Sequence, residues 1–219
     1  MRACAPRIAG APRTLAISNR HSLAGRDTLA WAEEAVNAGI EALQIREKDL
    51  SDRDLLELCL AVRRVVPSEV ALLINGRLDI TLAVDADGVH LRSNSPPVDR
   101  VRRQYPDLLI GKSAHSRKDV LKAREAGVDY VVMGPIFPPR SKTQHRPCLG
   151  LEGLRSACDL GLPVLALGGL SLERLPQIAA AGAAGIAGIT MFQNRDELAE
   201  ISRQTATLWA RRSPWGKTP

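Results

Sequence analysis

The sequence predicts a single-domain α/β protein, a (β/α)8 TIM barrel, and three features of the 219-residue chain support this fold class. Short runs rich in Leu, Ile and Val alternate with longer amphipathic segments, which is typical of repeated β-then-α units around a parallel sheet. Eight segments of each kind can be counted along the chain. Glycines separate several helical segments from the next strand, and this regular punctuation favours a closed barrel over the alternative, an open doubly wound sheet.

The elements follow one another in a regular order. Strands are predicted at Leu15–Ser18, Ala42–Ile45, Val70–Ile74, Gly88–Leu91, Leu109–Gly111, Tyr130–Met133, Val164–Leu167 and Gly185–Ile189. Helices are predicted at Thr28–Ala38, Asp52–Val65, Leu78–Val84, Val98–Tyr105, Arg117–Ala126, Leu151–Leu160, Leu172–Ala181 and Asp196–Arg211. We expect the barrel to span 14–211, between an N-terminal tail over 1–13 and a C-terminal tail over 212–219.

Residues at the helix ends support these boundaries. Ser51, Ser116 and Ser171 each precede a helical pattern, where a hydroxyl can cap the first turn. Four helical patterns end at glycines, which suit the left-handed conformation of a C-terminal cap: Gly39, Gly127, Gly161 and Gly182.

The charge distribution argues against nucleic acid as a partner. The net charge is +6, but residues 1–26 carry five Arg and no acid, and 211–219 carry two Arg and one Lys. These ends supply +8, so the remaining body carries about −2. Aromatic residues make up 3% of the chain, too few for a base-stacking surface.

The remaining composition predicts a cytoplasmic protein without a membrane span. The four cysteines, Cys4, Cys59, Cys148 and Cys158, form no CxxC pair, as in reduced cytosolic proteins. No segment approaches the roughly 18 continuous apolar residues of a membrane helix. The Arg-rich N-terminus lacks the apolar core of a secretory signal and is interpreted as a tail.

Polar residues after the second strand predict an anion-binding pocket. In such barrels the site lies at the C-terminal ends of the strands. Gln44, Arg46 and Lys48 alternate there, so they would project to one side and bind an anionic substrate. The alternative is a solvated turn in which the two cations pair with Glu47 and Asp49.

Glycines after the seventh and eighth strands predict a phosphate site. The expected phosphate-binding residues are Gly168, Gly169, Ile189 and Thr190. Glycine lets backbone amides approach phosphate oxygens, and the following helix adds a favourable dipole. The alternative is that these glycines only relieve crowding at the barrel rim.

The stretch after the fifth strand carries a candidate proton-transfer group. His115 and Ser113 lie just before a helix, and Ser113 is expected to bind substrate. A histidine titrates near neutral pH, as general acid–base catalysis requires. The alternative is that His115 caps the helix or bonds a carbonyl. His90 is interpreted as strand packing, and no two histidines have metal-ligand spacing.

The long loop from Gly134 to Gly150 predicts a flap over the site. It is rich in proline and cations, and loops of this length in compact barrels often bind ligands. Ser141 and Lys142 are expected to close over a bound anion, whereas simple flexibility is the alternative.

Seven ordered stretches, covering roughly Thr14 to Phe192, resemble the thiamine phosphate synthase and thiazole tautomerase superfamily. They are "LQIREKDL", "NGRLDITL", "ADGVHL", "GKSAHS", "DYVVMGPIFPPRSK", "PVLALGGLS" and "AGAAGIAGIT". The resemblance implies a (β/α)8 barrel that binds a small phosphorylated thiazole at the seventh and eighth loops.

The synthase branch implies a magnesium site that this sequence does not reproduce. In that branch the residues matched by Gln44, Arg46, Lys48 and Asn75 hold a pyrimidine diphosphate, and two aspartates bind one Mg²⁺. Here the aspartate positions fall on Gly76 and Ser95. Because Mg²⁺ usually takes one or two carboxylates, we expect no bound metal, and Mg²⁺ as a cofactor only under the synthase alternative.

The tautomerase branch resembles this chain at Asn75-Gly76-Arg77 and at His115. It implies a cofactor-free isomerase in thiamine biosynthesis, in which His115 moves a proton to make thiazole carboxylate phosphate aromatic. The complete Gln-x-Arg-x-Lys set resembles the synthase instead, whereas Pro139 and Ser141 replace the threonines that synthases favour. We therefore expect the tautomerase, with the synthase, a transferase, as the alternative.

Two further expectations concern activity and assembly. A second alternative to the tautomerase is a regulator that binds thiazole phosphate without catalysis. A homodimer is expected, since small barrels often pack their outer helices together.

Overall fold

In a computed structural model, which describes residues 11–23, 25–92, 95–138 and 147–210, eight parallel strands close into a barrel in chain order. The strands are β1 Thr14–Ile17, β2 Ala42–Ile45, β3 Ala71–Asn75, β4 Gly88–Leu91, β5 Leu109–Ala114, β6 Tyr130–Met133, β7 Val164–Leu167 and β8 Gly185–Gly188. The helices are α1 Thr28–Asn37, α2 Asp52–Val65, α3 Leu78–Ala83, α4 Val98–Gln104, α5 Arg117–Glu125, α6 Gly150–Cys158, α7 Leu175–Ala180 and α8 Arg195–Leu208. The (β/α)8 prediction is confirmed.

The pairing of β1 with β8 closes the barrel. Leu15 lies opposite Ala187, and Thr14 lies opposite Ile186. Because side chains alternate along each strand, the barrel has two apolar layers. One fills the interior, where Leu15, Leu73, Leu109, Tyr130 and Leu165 meet. The other packs strands against helices and contains Trp31, Leu43, Leu72, Ile74 and Phe192.

Two predicted boundaries move enough to affect the site. Strand β5 continues past its predicted end at Gly111 to Ala114, so Lys112 and Ser113 are strand residues. The seventh helical segment begins as a 3-10 turn over Leu172–Arg174 before α7. The Ser171 side chain makes no capping hydrogen bond there, so its predicted cap is wrong.

The other cap predictions are confirmed. Ser51 accepts a hydrogen bond from the Asp54 amide, and Ser116 accepts one from the Asp119 amide. The four predicted glycines adopt positive φ angles between 77° and 92°: Gly39, Gly127, Gly161 and Gly182. They therefore end their helices in the left-handed conformation that favours glycine.

The chain ends are described only in part. Of the predicted N-terminal tail, residues 11–13 lie against the barrel: Ala11 is buried in the inner layer and the Arg13 amide donates to Glu41. The predicted C-terminal tail, 212–219, lies outside the described residues. No helix in the described ranges is long and apolar enough to cross a membrane.

Candidate active site

An amide pair lies at the C-terminal ends of β2 and β3. The buried Gln44 side chain donates a hydrogen bond from Nε2 to Asn75 Oδ1 at 3.1 Å. The other amide atom, Gln44 Oε1, is buried and has no partner among the described residues. An unpaired buried acceptor is costly, which is typical of an atom that bonds a ligand or an ordered water molecule.

Four cationic side chains surround this end of the barrel: Arg46, Lys48, Arg92 and Lys112. Arg46 and Lys48 follow β2, Arg92 follows β4, and Lys112 belongs to β5. Burial is the main cause that lowers the pKa of Arg46; the charge of Glu47 opposes this shift, and the charge of Arg92 adds to it. The charge of Arg46 is the main cause that lowers the pKa of Lys48. These directions indicate that the cations lie close enough to repel one another. We name this set the mouth cations.

The carboxylates nearest in sequence bond elsewhere. Buried Glu47 accepts hydrogen bonds from Ser18 Oγ at 2.5 Å and from the Arg20 amide at 3.1 Å. Asp49 pairs with Arg20 and with His21. Across the described part of the chain, no carboxylate forms an ion pair with a mouth cation. The ion pairs expected of a self-paired charged turn after β2 are therefore not formed, although the charge of Glu47 acts to raise the pKa of Arg46.

The Asn75-Gly76-Arg77 stretch places its arginine away from the mouth cations. Gly76 has a φ of +70°. Arg77 pairs with Asp52 at 2.5 Å and with Asp79 at 2.7 Å, at the starts of α2 and α3. The Ser95 hydroxyl accepts a hydrogen bond from the Arg92 amide at 2.8 Å. Neither position at which the resemblance implies a metal carboxylate can supply one, and no group of three metal-binding side chains occurs within the described residues.

Buried His90 lies against half-buried Ser113 between β4 and β5. His90 Nε2 lies 2.9 Å from Ser113 Oγ, while His90 Nδ1 has no partner in the described ranges. Burial, with the charges of Lys112 and Arg46, lowers the pKa of His90 to about 4, so the ring is neutral at pH 7. His90 was interpreted as strand packing; it also orients a predicted substrate-binding residue.

His115 lies at the rim, in the turn between β5 and α5. Its Nδ1 donates to the Gly134 carbonyl at 2.8 Å, and its backbone amide donates to Asp119 at 2.9 Å. The predicted alternative of a carbonyl bond is therefore present. In the neutral form of the ring, this bond places the proton on Nδ1 and leaves the Nε2 lone pair available, as a general base requires.

The β6 and β7 loops pack tightly against each other. A Cβ on Gly168 would lie 2.8 Å from Pro135 Cα, and one on Gly169 would lie 2.5 Å from the Pro138 carbonyl. The Phe137 amide also donates to the Gly168 carbonyl at 3.1 Å. Crowding alone accounts for both glycines, so their role in binding phosphate stays a prediction.

The remaining predicted residues have different surroundings. Ile189 follows β8, and Thr190 lines an open cleft of about 430 Å³ together with Arg26, Gln193 and Arg195. Strand pairing places the ends of β7 and β8 side by side, as the phosphate prediction requires. The loop residues Ser141 and Lys142 lie outside the described residues.

The predicted substrate-binding set omitted two of the mouth cations. Arg92 and Lys112 follow the strand-end rule as well as Arg46 does, but they lack the alternating spacing that marked the β2 run. Tyr130 was also omitted, and its buried hydroxyl has no partner in the described part of the chain. Nothing in the sequence of an apolar strand indicates that the hydroxyl of its tyrosine will be buried without a partner.

Comparison with known proteins agrees with this architecture. Residues 14–192 match the family model described as thiamine monophosphate synthase. The chain is 41% identical to a putative thiamine-phosphate synthase 2 of Aquifex aeolicus, over 83% of this chain and 97% of the relative. It is 42% identical to a putative thiamine-phosphate synthase of Geobacter sulfurreducens, over 80% and 83%.

A solved structure shares the whole fold. The thiamine phosphate pyrophosphorylase of Pyrococcus furiosus is 28% identical, with a TM-score of 0.80 over 90% of this chain and 96% of that chain. The family match covers more than half of the sequence and includes all eight strands of the barrel. The chain belongs to the thiamine monophosphate synthase family, whose enzymes act in thiamine biosynthesis.

Proposed function

We propose that the chain is a thiamine phosphate synthase, a transferase that joins a pyrimidine diphosphate to a thiazole phosphate. The observation that carries this proposal is the set of mouth cations beside the Gln44–Asn75 amide pair. Four cations that form no ion pair with a carboxylate in the described ranges suit a diphosphate better than the single carboxylate of a thiazole. The names of the related proteins support the same choice, in preference to the tautomerase expected from the sequence.

The proposed reaction uses this charge to stabilise a leaving group. The bond between the pyrimidine methylene carbon and the diphosphate oxygen breaks, and pyrophosphate leaves with the electron pair. The thiazole nitrogen forms the new bond to that carbon, giving thiamine phosphate. Cations fixed where the negative charge develops lower the barrier without reorganising during the reaction.

His115 favours a second candidate, the thiazole tautomerase. Its Nδ1–H···O=C bond to Gly134 presents Nε2 as an acceptor, which suits movement of a proton on a thiazole carboxylate phosphate. That reaction needs no diphosphate. It therefore leaves unexplained why four cations are gathered at the mouth.

Product analysis tests the proposal. Purified full-length protein is incubated with hydroxymethylpyrimidine diphosphate and thiazole phosphate, once with Mg²⁺ and once with EDTA, and thiamine phosphate is quantified by chromatography. We expect thiamine phosphate with an equal amount of pyrophosphate. Lys48→Ala should lower the rate about 10²-fold, since losing one fixed transition-state contact typically costs this much.

Arg203→Ala is the matched control, because Arg203 is an exposed cation on α8 that pairs with Glu200. It should keep the full rate. Absence of thiamine phosphate in both incubations would overturn the synthase proposal. Conversion of the non-aromatic thiazole carboxylate phosphate that is lost in His115→Gln would then support the tautomerase.

A further inference from the structure

Arg92 lies over a glycine that makes room for it. A Cβ built on Gly76 would lie 2.5 Å from Arg92 Nε and 3.0 Å from both Cζ and Nη2. The guanidinium thus occupies the volume that any side chain at position 76 would need. The φ of +70° at Gly76 disfavours other residues for an additional reason.

Hydrogen bonds hold the Arg92 backbone beside the end of β3. The Arg92 amide donates to Ser95 Oγ at 2.8 Å, and the Ser95 amide donates to the Arg92 carbonyl at 3.1 Å. Lys112 Nζ approaches the same carbonyl at 3.4 Å. The Gly76 amide donates to the His90 carbonyl at 2.9 Å, which joins the two strand ends. Ser95 therefore shapes the turn that carries Arg92.

The positive charge around Arg92 favours the binding of an anion. Arg92 is one of the causes that lower the pKa of Arg46 and of Lys48, so its positive charge adds to theirs. A guanidinium presents a planar fork of donors that can bond two phosphate oxygens at once. No group of three metal-binding side chains occurs within the described residues, and residues 93–95 and 139–146 contain neither Asp nor Glu.

We propose that the Arg92 guanidinium, seated over Gly76, takes the place of a divalent cation, so that this chain binds the diphosphate group without metal. The inference rests on the proposed function for the identity of the ligand. A metal-based site would need carboxylates to hold the ion between protein and diphosphate. Here an organic cation neutralises the same oxygens directly.

Calorimetric titration of the full chain with inorganic pyrophosphate tests this inference. We expect binding in EDTA with an affinity that added Mg²⁺ does not raise. Arg92→Ala should weaken binding at least tenfold, and Arg92→Lys should recover part of the loss, because it restores the charge without the fork. Arg103→Ala, which removes an exposed cation paired with Asp99 on α4, should bind like the wild type.

Gly76→Asp supplies an independent variant. Its carboxylate would stand within reach of the guanidinium and neutralise it, so metal-free binding of pyrophosphate should fall at least tenfold. Circular dichroism establishes that each variant is folded. Binding that requires Mg²⁺ in the wild type, or unchanged binding in folded Arg92→Ala, would overturn the inference.

The two proposals fail separately. Metal-free binding of pyrophosphate without formation of thiamine phosphate supports the role of Arg92 and overturns the synthase proposal. Formation of thiamine phosphate together with pyrophosphate binding that depends on Mg²⁺ supports the synthase proposal and overturns the role of Arg92.

Discussion

At the scale of single residues, two buried rings within the otherwise apolar barrel carry polar atoms. His90 and Tyr130 are both buried, their ring centroids lie 6.3 Å apart, and each carries a polar atom without a partner in the described ranges. Gly111 lies between them in the sheet register and has no side chain, which leaves room for the Tyr130 ring. Burial raises the pKa of the Tyr130 hydroxyl, so this side chain stays neutral.

The buried imidazole predicts a dependence of stability on pH. The pKa of His90 falls from an ordinary value of 6.5 to about 4 in the folded protein, chiefly through burial. The unfolded chain therefore binds the proton more readily, so the stabilisation is complete above pH 6.5 and is lost as the pH falls towards 4. The loss amounts to about 3 kcal/mol across this window. Urea unfolding at a series of pH values measures it, as the difference between wild type and His90→Gln.

A histidine on the surface provides the control. His21 has an exposed side chain that pairs with Asp49. His21→Gln should retain the contribution of His90 between pH 6.5 and 4. If His90→Gln also retains it, the neutral buried imidazole is excluded.

At the scale of single elements, helix starts differ in how their first amides are satisfied. Ser51 bonds the Asp54 amide at 3.1 Å and caps the 14-residue helix α2. Ser171 has the extended backbone of a cap but makes no such bond, because the chain first forms a 3-10 turn. The two serines precede similar helical patterns, but we expect them to contribute differently to the free energy of unfolding.

Substitution of these two serines tests that difference. Ser51→Ala should lower the free energy of unfolding by about 1 kcal/mol, the usual cost of losing a side-chain cap. Ser171→Ala should change it by less than about 0.5 kcal/mol, as surface substitutions generally do. Denaturant unfolding monitored by circular dichroism measures both. Equal losses would show that Ser171 caps its helix after all.

At the scale of the whole molecule, three acids link neighbouring strands at the end of the barrel opposite the site. Glu41, Asp87 and Asp129 precede β2, β4 and β6, and each accepts the backbone amide of a residue in or next to the preceding strand. Each also pairs with an arginine: Arg13, Arg63 and Arg102, respectively. This repeated arrangement ties neighbouring strands together where the backbone pairing of the barrel begins.

Loss of one of these acids should weaken the whole barrel. Asp129 accepts from the Ile110 amide and from Arg102, both at 2.6 Å. Asp129→Ala should lower the free energy of unfolding by about 2 kcal/mol, because it leaves a backbone donor and a guanidinium without their charged acceptor. Thermal and urea unfolding measure this loss.

Asp99→Ala is the matched control, because it removes an exposed carboxylate whose ion pair with Arg103 spans 3.3 Å. It should cost less than about 1 kcal/mol, as exposed pairs generally do. Similar losses in the two variants would show that the ties at the bottom of the barrel add no stability.

The sequence by itself determined the order of the strands and helices and most of the helix ends. Hydrophobic periodicity, serine caps and glycine stops depend on residues close together in the chain, so a local pattern carries them. The strand-end rule likewise identified Gln44, Arg46, Lys48, Asn75, Ser113 and His115 as candidates before their positions were known.

Only the tertiary structure decided how these residues are paired. Glu47 and Asp49 adjoin Arg46 and Lys48 in sequence, yet they bond the turn after β1 and form no ion pair with either cation. Gly76 and Arg92 belong to different strand ends and meet only because β3 and β4 are neighbours in the closed barrel. Charge compensation and close packing depend on distances in space, and no short stretch of sequence contains them.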